Sequence, residues 1–270
     1  MTAAISLVIS DVDGTLVTPD KEVTPASLRA AQRLGDNGIG FTVVSSRPPA
    51  GLRMLVEPLS LKLPMGAFSG GAVVAPDMSV VEEHFVPAAA ARRAVAMLTD
   101  AGVDVWLFTP AGWLVRSAAD HYIDKEKRTI LADPQVVGEF GPELERVSKI
   151  VGSSGDFEKL VGAEKALRAA IVGQASIVRS QAYYLDVTAP GLDKGTFLET
   201  LSRHVGVPPG AIAVLGDMAN DIAMFRKAGM SIAMGNATAE VKSCATFQTA
   251  SNTEDGFAKA IDRYVIGAAG

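Results

Sequence analysis

Residues 5–16 read ISLVISDVDGTL, and the abrupt change from apolar to acidic side chains within this stretch decides the fold. The first half, Ile5 to Ser10, is short and almost continuously apolar, which is typical of a strand buried in a parallel sheet. The strand ends at Asp11, and in open α/β sheets ligands bind at the carboxyl ends of the parallel strands. We therefore predict a buried strand that brings an acidic group to a binding edge.

The next segment predicts a helix and then a second strand. Thr24 is a favourable N-cap and Pro25 suits the first helical position, so a helix begins there and ends at the glycines that follow. Residues 41–44 read FTVV and predict the next strand, which leads into the polar run 45–47. The order of strand, helix and strand, with polar residues where strands end, is typical of an α/β fold.

The C-terminal part of the chain repeats this order. Its predicted strands are 211–215, 231–234 and 245–249, and its predicted helices are 220–228, a segment from Thr238, and 254–265. Both ends of the chain therefore predict one doubly wound parallel sheet.

The middle of the chain differs, because several of its strands follow one another directly. Its predicted helices are 88–98, 120–131 and 156–170, and its predicted strands are a hairpin over 103–115 that turns at Gly112, then 147–151, 176–179 and 183–187. We predict an α/β protein with a Rossmann-like, doubly wound parallel-sheet core and an inserted α+β domain. The core takes residues 1–83 and 188–270, and the inserted domain takes residues 84–187.

The composition limits the classes of protein to which the chain can belong. Hydrophobic residues make up 48% of the 270 residues, which suffices for a sizeable core and excludes a mostly disordered chain. The net charge of −5 argues against a nucleic-acid partner, and no apolar run is long enough to predict a membrane span. A single cysteine, Cys244, and an N-terminus without a basic signal-like start favour a cytoplasmic protein.

Two aspartates one residue apart, Asp11 and Asp13, follow the first strand, and Gly14 lets the chain turn. Two carboxylates placed in this way can act on one phosphoryl group, one as a nucleophile and the other as a proton donor and acceptor. A solvated turn or a calcium loop would also account for the pair, although Val17 and the distant Glu22 fit the ligand pattern of a calcium loop poorly.

A second acidic group, GDMAND at 216–221, follows another predicted strand. Mg²⁺ prefers oxygen ligands, and Asp217 with Asp221 could supply one ligand and its supporting partner. A cluster that only caps the next helix, through Asn220 or Asp221, explains the same residues equally well, and both interpretations stay open here.

Three further side chains are candidates for binding a phosphoryl group. The hydroxyl of Ser45 lies where the second strand ends, Arg47 follows it, and Lys194 lies at a predicted helix start. A lysine is unfavourable at the positive end of a helix dipole, so Lys194 should face a fixed anion. The structural alternatives are a serine that caps a helix, a surface arginine and an exposed lysine.

Taken together, these motifs resemble those of the haloacid dehalogenase-like (HAD) phosphatases, and in particular the Cof-type phosphatases with a large α/β cap. The matching segments are DVDGTL at 11–16, SSRP at 45–48, LDKGTFLETL at 192–201, GDMANDIAMFRKAG at 216–229, and the tail at 231–261. The resemblance covers both halves of the core, and it covers the inserted domain, the cap, only in length and layout.

The resemblance implies a Mg²⁺-dependent phosphatase that acts on a small phosphorylated metabolite, most often a sugar phosphate. It implies that Asp11 is the nucleophile, Asp13 the general acid and base, and that Ser45 and Lys194 contact the phosphoryl group. It implies Mg²⁺ ligands from Asp11, Asp13, Asp217 and Asp221, and phosphate or substrate contacts from Val12, Ser46, Arg47 and Asn220.

Other activities compatible with these motifs are a phosphosugar mutase, carbon–halogen hydrolysis and phospholigand binding without catalysis. Asp13 argues against carbon–halogen hydrolysis, which does not need a second carboxylate, and the full set of motif residues argues against a non-catalytic module. The sequence departs from the family pattern at Ser46, where glycine is usual, and at Gly70, where asparagine is common. The Gly70 change removes a polar contact to the leaving group.

The cap contains aromatic and basic side chains that could face the cleft, namely Trp113, Arg116, His121, Tyr183 and Tyr184. Adjacent strand residues point to opposite faces, so we expect at most one of the two tyrosines to face it.

Overall fold

The computed structural model describes residues 4–267, and the outermost predicted core residues, 1–3 and 268–270, lie outside the described residues. Within them the strands are β1 (Leu7–Asp11), β2 (Gly40–Val44), β3 (Met65–Ala67), β4 (Ala72–Val74), β5 (Val80–Glu83), β6 (Asp104–Thr109), β7 (Gly112–Val115), β8 (Gln135–Val136), β9 (Lys149–Ser153), β10 (Ser176–Gln181), β11 (Tyr184–Thr188), β12 (Ile212–Gly216), β13 (Met230–Ala233) and β14 (Phe247–Gln248).

The α-helices of the same residues are α1 (Pro25–Asp36), α2 (Arg53–Val56), α3 (Ala88–Asp100), α4 (Ile123–Ile130), α5 (Phe157–Ala170), α6 (Lys194–Val205), α7 (Ile222–Phe225), α8 (Ala239–Ser243) and α9 (Gly256–Ala260). Short 3₁₀ segments lie at Pro49–Leu52, Phe68–Gly70, Pro142–Glu145, Pro209–Ala211, Ala219–Asp221 and Asn252–Glu254, and a π-helical turn, Ile261–Ile266, extends α9.

An eight-stranded sheet forms the core, in the order β14-β13-β12-β1-β2-β3-β4-β5. The strands from β14 to β3 run parallel, and β4 and β5 add an antiparallel edge. The first strand lies in the middle, and the chain leaves it for β2 on one side and reaches β12 on the other only much later. This reversal of strand order opens a crevice at the carboxyl ends of β1, β2 and β12, where open α/β sheets bind ligands.

The second sheet has six strands in the order β10-β11-β9-β6-β7-β8, and all its neighbouring pairs are antiparallel except β7 with β8. Its strands lie between β5 and α6 in the chain, from Asp104 to Thr188. These two sheets confirm the predicted fold class, a doubly wound core with an inserted α+β cap. The boundaries at 83/84 and 187/188 stay a proposal.

The cap sheet uses its two faces differently. Ile150, Leu185 and Val187 point to the cap's own interior, where they pack with α3 and α5. The other face carries aromatic residues, among them Trp106 and Phe108, which join the same apolar cluster as core residues such as Phe68. One face of the cap therefore rests on the core beside the crevice.

The helix boundaries follow from local chemistry where capping residues are present. Thr24 caps α1 by accepting a hydrogen bond from the Ser27 amide, and Pro25 is its first residue, as predicted. At the start of α6, Asp193 forms a capping box with Thr196, and this fixes the position of Lys194.

The predicted helix over 220–228 is wrong in extent, because α7 covers only Ile222–Phe225 and a 3₁₀ turn precedes it. The Asp221 carboxylate folds back to accept hydrogen bonds from the amides of Asp217 and Met218, so this stretch forms a tight loop instead of a regular helix start. No helix within residues 4–267 is both long and apolar enough to cross a membrane.

Candidate active site

The crevice collects four of the polar and charged side chains that the sequence singles out. Asp11 ends β1, Asp217 follows β12 directly, and Ser45 follows β2. Lys194 enters from the start of α6, and all four side chains are buried. The parallel sheet therefore brings together residues that are separated by up to 206 positions in the chain.

Lys194 joins two of these carboxylates. Its Nζ lies 2.6 Å from Asp11 Oδ1 and 2.6 Å from Asp221 Oδ1. Burial alone would lower the pKa of Lys194, but the two carboxylates outweigh burial and raise it. Lys194 is therefore a fixed cation that faces anions, as expected for a lysine at a helix start. The alternative interpretation, an exposed lysine, is wrong.

Three acidic groups could hold a metal ion. One carboxylate oxygen each of Asp11, Asp217 and Asp221 lies within 4.8 Å of the other two. Burial, together with the neighbouring acidic groups, raises the pKa of Asp11 to about 7 and that of Asp217 to about 8, and Lys194 only partly opposes this. Buried oxygen ligands that repel one another in this way fit a hard divalent cation such as Mg²⁺.

Neighbouring groups hold these ligands in place. Asp221 accepts the amides of Asp217 and Met218, and Asp217 accepts hydrogen bonds from the Thr15 hydroxyl at 3.3 Å and from Asn236 Nδ2 at 3.1 Å. These contacts hold both the loop and the Asp221 carboxylate in place. The alternative interpretation of Asp221, a residue that only caps the following helix, is therefore correct for part of its role. Such supporting contacts are usual around metal ligands.

Asp13 lies beside this cluster and has cationic partners of its own. Arg47 donates Nε to Asp13 Oδ2 at 2.7 Å and Nη2 to Oδ1 at 2.8 Å, and Lys21 Nζ lies 2.6 Å from Oδ1. Burial would raise the pKa of Asp13, but Arg47 and Lys21 outweigh burial and hold it well below its ordinary value. In this arrangement Asp13 is an ionised carboxylate and a weak base, because the two cations stabilise its negative charge.

The loop after β2 contributes backbone and hydroxyl groups. Ser45 is buried, and its Oγ accepts a hydrogen bond from the Arg47 amide at 3.2 Å. The surface interpretation of Arg47 is wrong, because its side chain is buried between Asp13 and the carbonyl of Gly51. Ser46 is half-buried, and its carbonyl accepts a hydrogen bond from Lys149 of the cap at 3.0 Å.

The other predicted contact residues lie around the same crevice. Val12 is buried, and its carbonyl anchors the turn by accepting the amides of Leu16 and Val17. Asn220 lies by the Lys194 side of the crevice, and its Oδ1 is buried without a hydrogen-bond partner in the described part of the chain. At Gly70, where φ is +100°, a Cβ would lie 2.7 Å from the carbonyl oxygen of Asp193, so the backbone of α6 approaches too closely for the asparagine that is common in the family.

The expectation for the two cap tyrosines is wrong. Both Tyr183 and Tyr184 line the small cavity beside Asp13, because Tyr183 belongs to the turn before β11 and strand alternation does not apply to it. Of the other cap candidates, Trp113 packs against Trp106 and Phe108, and Arg116 covers the ring of Phe140.

Several residues of the site were not among the predicted site residues. Lys21 lies in a turn, where its φ is +66°, and its side chain contacts Asp13. No sequence pattern predicts this contact. Asn236 comes shortly after β13, next to Gly235. Its position after a strand could have identified it as a site residue. Lys149, Asp186 and Glu126 come from the cap, and only the docking of the cap on the core brings them near the crevice.

Comparison with known proteins agrees with the geometry. A family model described as haloacid dehalogenase-like hydrolase matches residues 8–261. A phosphoglycolate phosphatase of Natronomonas pharaonis is 30% identical over 254 residues, 94% of this chain and 95% of that protein. A 5-amino-6-(5-phospho-D-ribitylamino)uracil phosphatase of Bacillus subtilis is 27% identical over 269 residues, 96% of this chain and 97% of the relative.

Solved structures share the fold over nearly the whole chain. A haloacid dehalogenase-like hydrolase from Bacteroides thetaiotaomicron superposes with a TM-score of 0.86 at 27% identity, covering 96% of this chain and 99% of the other. A sugar phosphatase of HAD subclass IIB gives a TM-score of 0.84 at 23% identity, covering 97% of this chain and 99% of the other, and so shares the fold.

Proposed function

The chain belongs to the haloacid dehalogenase-like hydrolase family, and on this premise we propose that it hydrolyses a small phosphorylated metabolite through an aspartyl-phosphate on Asp11, with Mg²⁺ as its cofactor. The chain is a phosphatase, a phosphoric monoester hydrolase, as its relatives are. The observation that carries the proposal is the contact of the buried Lys194 with both Asp11 and Asp221.

The first step is the attack of an Asp11 carboxylate oxygen on phosphorus. The bond from phosphorus to the leaving-group oxygen breaks, and that oxygen takes a proton from Asp13. Lys194 stabilises the charge of the phosphoryl group, since its ammonium is already fixed beside the attacking carboxylate.

The second step returns the enzyme to its starting state. A water molecule attacks the phosphorus of the aspartyl-phosphate, Asp13 accepts a proton from that water, and inorganic phosphate leaves while the Asp11 carboxylate is restored. Asp13 must be ionised for this second role, and it accepts the proton only when Arg47 or Lys21 no longer stabilises its charge. Its first role requires that it carry a proton, and therefore that Arg47 or Lys21 move away from it in the substrate complex.

The metal and the phosphate contacts complete the proposal. Asp11, Asp217, Asp221 and the Asp13 carbonyl would hold Mg²⁺, which neutralises charge on a transferring phosphoryl group when bound. Phosphoryl oxygens would be held by the Ser45 hydroxyl, the amides of Val12 and Ser46, and the side chains of Arg47 and Asn220.

The relatives and the cap support the substrate class that we propose. The relatives include phosphatases of phosphoglycolate and of a phosphoribityl compound, so both enter the panel of candidates. A sugar or polyol phosphate is the candidate we favour, in a cytoplasmic protein without nucleic-acid or membrane partners. The cap closes the crevice over such a leaving group and excludes water from it.

The test is hydrolysis of p-nitrophenyl phosphate with Mg²⁺. We expect Asp11→Asn to lose at least about a thousandfold in kcat/KM, because the nucleophile is absent, and removal of Mg²⁺ with EDTA to abolish turnover of the wild type. Asp20→Asn, an exposed aspartate in the loop after the same strand, is the matched control and should retain full activity.

Full turnover by Asp11→Asn would reject the proposed nucleophile. Free phosphate and phosphosugar isomers should be measured together, because formation of an isomer without phosphate release would replace hydrolysis with the mutase reaction.

A further inference from the structure

The face of the cap sheet that meets the core carries one buried charged pair. Along β9 and β11 the residues that point to the cap's interior are apolar, and on the opposite face Val151 and Tyr184 pack into the cluster shared with the core. Lys149 and Asp186 stand on this second face, with Nζ and Oδ2 2.7 Å apart and both side chains less than a tenth exposed. Buried ion pairs contribute little to stability in general, so a functional reason for this pair is worth seeking.

The pair lies between two parts of the active site. Lys149 Nζ donates to the carbonyl of Ser46, in the loop proposed to bind phosphate, at 3.0 Å. Asp186 lines a cavity of about 370 Å³ whose wall also includes Lys194, Asn220 and Thr188. The pair therefore contacts the loop after β2 through Lys149 and the cavity beside Lys194 through Asp186. It lies on the side of the site that the cap covers.

Two of the residues that line this cavity each carry a buried side-chain oxygen without a hydrogen-bond donor. Within residues 4–267, Asp186 Oδ1 and Asn220 Oδ1 are buried and make no hydrogen bond. Burial raises the pKa of Asp186, and the Lys149 ammonium and, to a smaller extent, the nearby Ser180 hydroxyl oppose this effect. A buried acceptor without a partner is costly, so the cavity is suited to a ligand that brings hydrogen-bond donors.

We propose that Asp186 determines specificity by accepting a hydrogen bond from a hydroxyl group of the substrate's leaving group, and that Lys149 holds Asp186 in position for this contact. The inference rests on the proposed phosphatase function and names the group that selects its substrate. A polyhydroxylated leaving group satisfies the unpartnered acceptors, whereas an alkyl leaving group of equal length leaves them buried and unpaired.

The experiment compares two substrates that differ only in hydroxyl groups, erythritol phosphate and n-butyl phosphate. The quantity measured is the ratio of kcat/KM for the first to kcat/KM for the second. We expect the wild type to favour erythritol phosphate by at least about tenfold, since a site built to bind a hydroxyl discriminates strongly against a ligand that lacks it.

Two variants test the assignment. The double replacement Lys149→Met with Asp186→Leu removes both charges together, which cores usually tolerate, and should lower the ratio about tenfold. Asp186→Asn should lower it in the same direction by a smaller factor, because the amide keeps the shape but loses the charge. Asp100→Asn, an exposed aspartate at the end of α3, is the control and should keep the wild-type ratio.

The outcomes separate this inference from the proposed function. An unchanged ratio in the double variant, or a wild type without preference for erythritol phosphate, would overturn the role of Asp186. An equal loss for both substrates would show that the pair is only structural, which also overturns it. A wild type that hydrolyses no phosphomonoester, p-nitrophenyl phosphate included, would instead refute the proposed function.

Discussion

At the scale of single residues, the crevice holds three buried carboxylates against one ammonium group. Asp11, Asp217 and Asp221 face Lys194, so the cluster carries excess negative charge unless a proton or a cation neutralises it. Protonation would disable Asp11 as a nucleophile, whereas a bound cation would keep it ionised. The electrostatics of the residues thus favour a metal for a reason independent of any family resemblance.

We expect these carboxyls to make the metal-free protein less stable as the pH rises from about 4 to about 8. Burial raises the pKa of Asp11 to about 7 and that of Asp217 to about 8, from 3.8. Below pH 3.8 each carboxyl is protonated in both the folded and the unfolded state. Between 3.8 and its raised pKa in the folded state, each carboxyl ionises only in the unfolded chain, which lowers the free energy of unfolding by at most about 1.4 kcal/mol per pH unit for each group. The increase in Tm on adding Mg²⁺ should therefore be greater near pH 8 than near pH 5.

The variant Asp217→Asn separates the contribution of Asp217, together with its coupling to Asp11, from that of the other titrating groups. The free energy of unfolding of the metal-free wild type, minus that of the variant, should fall steadily with pH, as measured by urea denaturation in EDTA. A difference that stays constant across this range would contradict the expected ionisation of Asp217.

The polar and charged residues that were predictable from sequence share one feature, which is their position at a strand end or helix start. Asp11 ends a strand, and Ser45 and Asp217 directly follow strands, so the topology of a parallel sheet alone brings them together. Lys21 was not predictable, because its contact with Asp13 depends on a turn with a left-handed backbone. Asp186 lies within a strand of the cap, and its relation to the site depends on how the two sheets dock.

At the scale of elements, the turn after β1 determines whether the two halves of the core can share a metal site. Gly14 has a φ of +85°, and a Cβ there would overlap the carboxylate of Asp217. Position 14 therefore requires glycine for two reasons, which are the backbone conformation of the turn and the close approach of the loop after β12.

We expect Gly14→Ala to weaken Mg²⁺ binding by at least about tenfold, because the new methyl group displaces Asp217. Gly38→Ala is the matched control, since Gly38 has a φ of +71° but open space around its Cα. Both variants should lose about 1 kcal/mol of stability from backbone strain. Only Gly14→Ala should shift the Mg²⁺ concentration needed for half-maximal Tm increase, and an equal shift in both variants would contradict the proposed clash.

Element prediction succeeded where local signals were strong and failed where tertiary contacts decide. The apolar run before Asp11 and the caps of α1 were sufficient for β1, α1 and β2. The strands β3, β4 and β5 were missed, because they are three or four residues long and are stabilised by pairing with neighbours in the sheet and not by a pattern of their own.

At the scale of the whole molecule, the cap and the core are joined by apolar packing as well as by two chain connections. Phe68 of the core and Phe108 of the cap lie with ring centroids 5.9 Å apart, and Phe108 stacks on Trp113. Their cluster continues into the interior of the core. Shared apolar surface of this kind couples the stability of two structural units.

We therefore expect the cap and core to unfold in one transition, and Mg²⁺ bound to core residues to stabilise the cap as well. Both tryptophans, Trp106 and Trp113, lie on the face of the cap that packs on the core, so their fluorescence reports the cap and its contact with the core, whereas far-UV circular dichroism reports the whole chain. The two urea transitions should coincide and move together on addition of Mg²⁺.

Phe108→Ala, which removes the contact with Phe68, should separate the two urea transitions, because the cap then loses its apolar attachment. Two separate transitions in the wild type, with Mg²⁺ moving only the one seen by circular dichroism, would show instead that the cap is held over the site by its connections and polar contacts alone.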